Sequence, residues 1–191
     1  MKAAADESTG YYHVKQDVPT SKAITLNNVP AGTYNKMSFT LGVEEDGVSQ
    51  GAAAGVLDPA KGAWFWNWNA GYVSFKLEGT AEDSPQEGNG VSTVDNGYAF
   101  HLGGWKDVPA DSTGGNSVFV NNIKTLHFDF GTDLTISESL DPNAHIVLDV
   151  KQLLDNAAIN FETQYSFHSP IKGKVLADEL YSAFTLDHVH Q

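Results

Sequence analysis

Alternation with a period of two most constrains what this chain can fold into. In residues 34–43, YNKMSFTLGV, the apolar side chains Met37, Phe39, Leu41 and Val43 occupy every second position. An extended backbone places such residues on one face of a sheet. The pattern recurs in GYAFHLGG, where Tyr98, Phe100 and Leu102 oppose Ala99, His101 and Gly103. It recurs in IKTLHFDF, where Leu126, Phe128 and Phe130 oppose His127 and Asp129. AHIVLDV sets Ile146, Leu148 and Val150 against His145 and Asp149. KAITLNN, SVFV and AINFE are shorter strand candidates. The connections are rich in turn formers, as in NNVPAGTY, AEDSPQEGNG, DVPADSTGGN and LDPN. Helical spacing is clear in GKVLADELYSAF, with Leu176, Leu180 and Phe184 four apart, and KQLLDN has room for a turn or two. The expectation is an all-β fold, an antiparallel, barrel-like β-sandwich with one C-terminal α-helix. No internal repeat or linker divides the chain, so residues 1–191 are expected to form a single domain.

At 191 residues the chain can bury a core without covalent staples, and it contains no cysteine. Thiolate metal sites, cysteine nucleophiles and disulfides are therefore excluded. The net charge of −13 argues against nucleic acid as a partner and against an anionic membrane surface. No stretch is long and apolar enough to span a bilayer as a helix. MKAAADESTGYY has no apolar run of the signal-peptide kind, and its abrupt start reads as either a mature fragment or a trimmed chain.

Three of the four tryptophans, Trp64, Trp66 and Trp68, stand at alternate positions in GAWFWNWNAGY. They read either as core or as a flat aromatic platform for a ligand such as a sugar. Beyond Gly71 the apolar residues Val73, Phe75 and Leu77 move to odd positions, so a bulge or kink is expected near Asn69 to Gly71. The seven histidines offer metal ligands. His188 and His190, in DHVH, project to the same side of an extended chain. His101 lies among apolar and small neighbours, as either an interior group or a ligand. Imidazole without thiolate suits copper or zinc. GVSQG places Ser49 in a Gly-x-Ser-x-Gly pattern, but a nucleophile elbow needs a strand before it and a helix after it. The Gly- and Pro-broken AAAGVLDPAKG follows instead. An Asp/Glu hydrolase has no spacing signature here.

Several stretches in order, NVPAGTYNKMSFTLGV, GVLDPAKGAWFWNWNAGYVSFKLEG, FHLGGW, FHSP and FTLDHVH, resemble the MbnP-like family. These are copper-associated proteins linked to methanobactin and to copper-repressible surface proteins. The likeness runs from about Tyr12 to the end and is greatest to the branch found in Bacteroidetes. It implies a non-enzymatic, extracytoplasmic protein in the periplasm or at the cell surface, often a lipoprotein. Any membrane contact would pass through a lipid anchor outside this chain. It also implies a tryptophan oxidised to kynurenine by a partner di-haem peroxidase-like enzyme, with copper held by that kynurenine and by histidines. Trp66 matches the motif tryptophan, Trp68 is the second tryptophan of the motif, and His101 matches the motif histidine. Trp64 stands where a methionine is common. The loop before the tryptophans holds no histidine, so His188 or His190 would have to fold back as the replacement ligand. Related proteins begin with further strand sequence, so an edge strand is expected to be missing here. The runner-up is a carbohydrate-binding module using Trp64, Trp66 and Trp68.

Overall fold

The computed structural model describes residues 9–49, 51–88, 94–110 and 118–191. Residues 1–8, 50, 89–93 and 111–117 lie outside them, taking in parts of the AEDSPQEGNG and DVPADSTGGN turns and the first residue of SVFV. In chain order the elements begin with β1 (Gly32–Leu41) and α1 (Glu45–Val48), followed by β2 (Phe65–Asn67), β3 (Gly71–Thr80) and β4 (Gly97–Gly103). Then come β5 (Lys124–Ile136), β6 (Asn143–Leu148), α2 (Val150–Asn156), β7 (Ser166–Phe167), α3 (Pro170–Ala183) and β8 (Phe184–His190). Strands account for 38% of residues and helices for 19%, which makes this the β-dominated architecture that the alternation predicts.

Among the described residues three sheets carry the fold. β1 pairs with β5, a second sheet runs β2-β3-β4-β7, and β6 pairs with β8. Every pairing is antiparallel except that of β4 with β7. The four long alternating segments become β1, β4, β5 and β6. The shorter candidates do not form strands. KAITLNN and AINFE lie outside any sheet, and SVFV contributes one isolated bridge between Phe119 and Val108. Local strand propensity without a neighbouring strand to pair with leaves them as loops.

The four-stranded sheet has two unlike faces. Phe100 and Leu102 of β4 point into a core shared with Phe167 of β7, Leu153 of α2, and Leu176 and Leu180 of α3. Ser169 caps α3 by accepting a hydrogen bond from the Lys172 N–H, and Pro170 follows in its first turn. Gly173 lets α3 close onto the sheet, since a Cβ there would meet Leu102 Cδ2 at 2.9 Å. The buried stripe is therefore Gly173, Leu176, Ala177, Leu180 and Ala183. Phe184, expected on that stripe, is extended and opens β8. A second core cluster gathers Val43, Val48, Ala53, Leu57, Ala63 and Tyr72.

The expected kink in the tryptophan segment is a complete reversal. β2 ends at Asn67, the chain turns, and β3 starts at Gly71. Asn67 Oδ1 accepts from the N–H groups of Asn69 and Ala70, and Gly71 adopts a φ of 71°. This is an Asx-type turn closed by the one residue that enters the left-handed region without strain. The hairpin returns β3 alongside the tryptophans and explains the change of phase.

Candidate metal centre

His101 sits in the middle of β4, opposite the core face, and is 1% exposed. Strand register builds its surroundings. Lys76 of β3 is its direct cross-strand partner, and Glu78 stands opposite Ala99. These residues therefore share one face of the sheet. On the other side, β7 pairs Ala99 with Ser166 and Phe100 with Phe167. The next residue, His168, thus arrives beside His101, and their ring centroids are 4.2 Å apart. Trp64, itself partly open to solvent, closes over the His101 ring edge-on with centroids 4.6 Å apart, whereas His168 is exposed. Lys76 Nζ lies 4.3 Å from the Trp64 ring centroid, a cation–π contact. Trp66, half-buried, packs over Gly103, two residues along the same face of β4. A Cβ at Gly103 would stand 2.9 Å from Trp66 Cζ3 and 2.6 Å from the Tyr72 carbonyl oxygen.

Hydrogen bonding fixes the tautomer. His101 Nε2 lies 2.7 Å from Glu78 Oε1, and Lys76 Nζ is 2.9 Å from Glu78 Oε2. Burial alone would lift the Glu78 pKa, but hydrogen bonds from His101 and Lys76 outweigh it and hold the carboxyl below its ordinary value. An ionised carboxylate only accepts, so Nε2 carries the proton and donates it. Burial pushes the His101 pKa down, against the opposing pull of Glu78, so the ring is neutral near pH 7. Its lone pair is therefore on Nδ1, a buried atom with no hydrogen-bond partner among the described residues. A buried unpaired acceptor costs about 1–3 kcal/mol. A carboxylate on one histidine nitrogen with an open lone pair on the other is the arrangement that orients metal-ligating histidines. The residues present thus fit a metal ion. The His168 pKa is lowered as well, by burial and then by His101, which keeps that ring neutral and able to coordinate.

His168 is the site residue that sequence reasoning passed over. It was visible in FHSP, but nothing in the chain's order announces that a two-residue parallel strand sets it beside His101. Trp68 goes elsewhere. It is exposed in the turn, with its ring against Phe65 and Gly51, and its carbonyl accepts from Trp105 Nε1 at 3.0 Å. Phe65 belongs to the opposite face of β2, so the turn separates Trp68 from Trp64 and Trp66, and the three rings do not form one platform. Among the described residues no hydrogen bond or ring contact links His188 or His190 to His101. Instead they meet His145 on the β6–β8 sheet, with one ring nitrogen from each of the three within 4.8 Å of the others. Ser49 Oγ donates to the Asp46 carbonyl at 3.5 Å, at the end of α1 rather than between a strand and a helix.

Fold and site together define a largely antiparallel β protein that roofs a buried histidine with tryptophan. The chain belongs to the MbnP family, whose model matches residues 2–170. That span contains the tryptophan hairpin, Glu78, His101 and His168. No curated protein and no solved structure matches the chain significantly. No described helix is long and apolar enough to cross a membrane.

Proposed function

We propose that the chain is a non-enzymatic, extracytoplasmic copper-binding protein whose ion is held at the His101 face. The single observation that carries this reading is the buried, unpartnered Nδ1 of His101, held ready by Glu78. Membership of the MbnP family, with its methanobactin connection, supports copper as the ion. His101 supplies one imidazole and His168 the second, taking the place that His188 or His190 would otherwise have to fill. Trp66 lines the same face. Its indole N–H offers no lone pair to a metal, so it becomes a ligand only after a di-haem peroxidase-like partner converts it to kynurenine. Trp64 covers the His101 ring, while His168 stands at the exposed edge of the site. Copper held by these nitrogen donors is cargo for binding, with no reaction step required of the protein.

The test is an anaerobic Cu(I) competition titration of wild type, His101→Gln and His168→Ala, before and after tryptophan oxidation, with mass spectrometry on the peptide containing Trp66. Stoichiometric binding that both substitutions abolish supports the site. Wild-type protein that takes up no copper in either oxidation state overturns it.

A further inference from the structure

A second cluster lies apart from the tryptophan face, and two of its members, His188 and His190, follow the family match that ends at residue 170. Antiparallel register puts His145 of β6 directly opposite His188 of β8, and a bulge follows between His145 and Ile146. His145 and His188 stack with centroids 4.1 Å apart and planes 14° apart. Two residues on, His190 returns to the same side of β8 and meets His188 edge-on. His188 Nε2 and His190 Nε2 face each other at 3.0 Å.

The chemistry of that contact is specific. The Asp187 carboxylate, 2.7 Å from His188 Nδ1, holds the proton there and leaves the lone pair on Nε2. Two imidazole nitrogens therefore converge, one of them a fixed lone-pair donor, and a third ring stands within reach. Asp187 acts on His188 as the carboxylate of a carboxylate–histidine–metal triad does. The strand is not a loose tail. The Gln191 side chain bonds both the N–H and the carbonyl of Thr135 on β5, at 2.9 and 2.8 Å.

From these contacts we infer that His145, His188 and His190 form a second metal site, an exposed three-histidine site for a divalent transition metal of the zinc or copper(II) type. Three imidazoles with no thiolate or thioether favour a borderline divalent ion. Three protein ligands open to solvent leave a coordination position for water, the pattern of an open rather than a closed zinc site. Coordination replaces the His188–His190 contact, with His190 moving its proton to Nδ1. The ion then ties β6 to β8.

The experiment is calorimetric titration of Zn²⁺ into wild type, His188→Ala, His190→Ala and His101→Gln, with Cu²⁺ electron paramagnetic resonance on the same proteins. Wild type and His101→Gln are expected to bind one Zn²⁺ equally. His188→Ala and His190→Ala should lose at least about 100-fold in affinity, and Asp187→Asn about 10-fold. The Cu²⁺ spectrum should carry coupling to imidazole nitrogens that His145→Ala reduces. Far-UV circular dichroism confirms that these exposed substitutions keep the fold. Zinc affinity unchanged in both His188→Ala and His190→Ala overturns the inference. So does zinc binding that disappears in His101→Gln alone, which would assign the ion to the buried face. Failure here leaves the copper reading untouched, because different residues carry it.

Discussion

Two histidine groups in one molecule show how burial changes what the same side chain can do. His101 is enclosed on every side, by β3 and β7 laterally and by Trp64 above, with one ring nitrogen committed to Glu78 and the other left bare. His145, His188 and His190 lie open on a two-stranded sheet, held by cross-strand stacking and by Asp187. The first group is set by the fold whether or not an ion is present. The second is held by surface contacts alone and stands open to water. A buried lone pair without a partner is a standing cost that an ion relieves, whereas an exposed one is satisfied by solvent. The buried face should therefore bind with preorganised geometry, and the exposed face should bind by capture.

The contrast can be broken in steps, beginning with the largest effect. His101→Gln keeps a donor toward Glu78 but removes the Nδ1 lone pair. Copper affinity at the buried face is expected to fall by more than about 100-fold, or about 2.7 kcal/mol, as read by competition titration. Glu78→Gln frees the His101 tautomer and should cost about 10–100-fold in the same assay, with no effect on Zn²⁺ bound by the exposed trio. Gly103→Ala drives a Cβ into Trp66 and the Tyr72 carbonyl oxygen. Overpacking of this kind costs about 1–3 kcal/mol, measurable from urea midpoints, and displaces Trp66 from the histidine pair.

Acid provides a fourth test. The folded states of His101 and His168 bind protons less readily than the unfolded chain, so protonation favours unfolding. Their contribution is whole above the ordinary imidazole value of 6.5 and is lost as pH falls below it. Glu78, held below 4.5, adds a further loss at more acidic pH. Urea midpoints should fall from pH 7.5 toward pH 5, and His101→Gln should flatten that slope. A wild-type profile that is flat across this range would break the argument that burial keeps these rings neutral. The smallest effect belongs to His145→Ala, an exposed change expected to move metal-free stability by no more than about 0.5 kcal/mol.

The β architecture was legible because period-two alternation is a local property. β1, β4, β5 and β6 each carry it over enough residues to mark a face, and α3 carries helical spacing, though the helix starts at Pro170, three residues before the stretch that spacing marks. KAITLNN and AINFE show the limit, since local strand propensity without a pairing partner leaves a loop. Within the candidate site, His101 stood out by its apolar neighbours, and Trp66 by its motif. Trp68 was misleading, because a four-residue turn stabilised by the Asn67 side chain ends the alternation one residue before it.

What the sequence by itself determined is the inventory and its local geometry. There is no thiolate, there are seven imidazoles, strands have assignable faces, and His188 and His190 are on one side of an extended segment. Which histidines become neighbours was decided by the tertiary structure alone. Register across β3, β4 and β7 gave His101 its partners Glu78, Lys76 and His168, and register across β6 and β8 gave His188 its partner His145. The physical reason is that strand pairing joins residues far apart in the chain. A shift of one residue in register would turn each of these side chains to the opposite face.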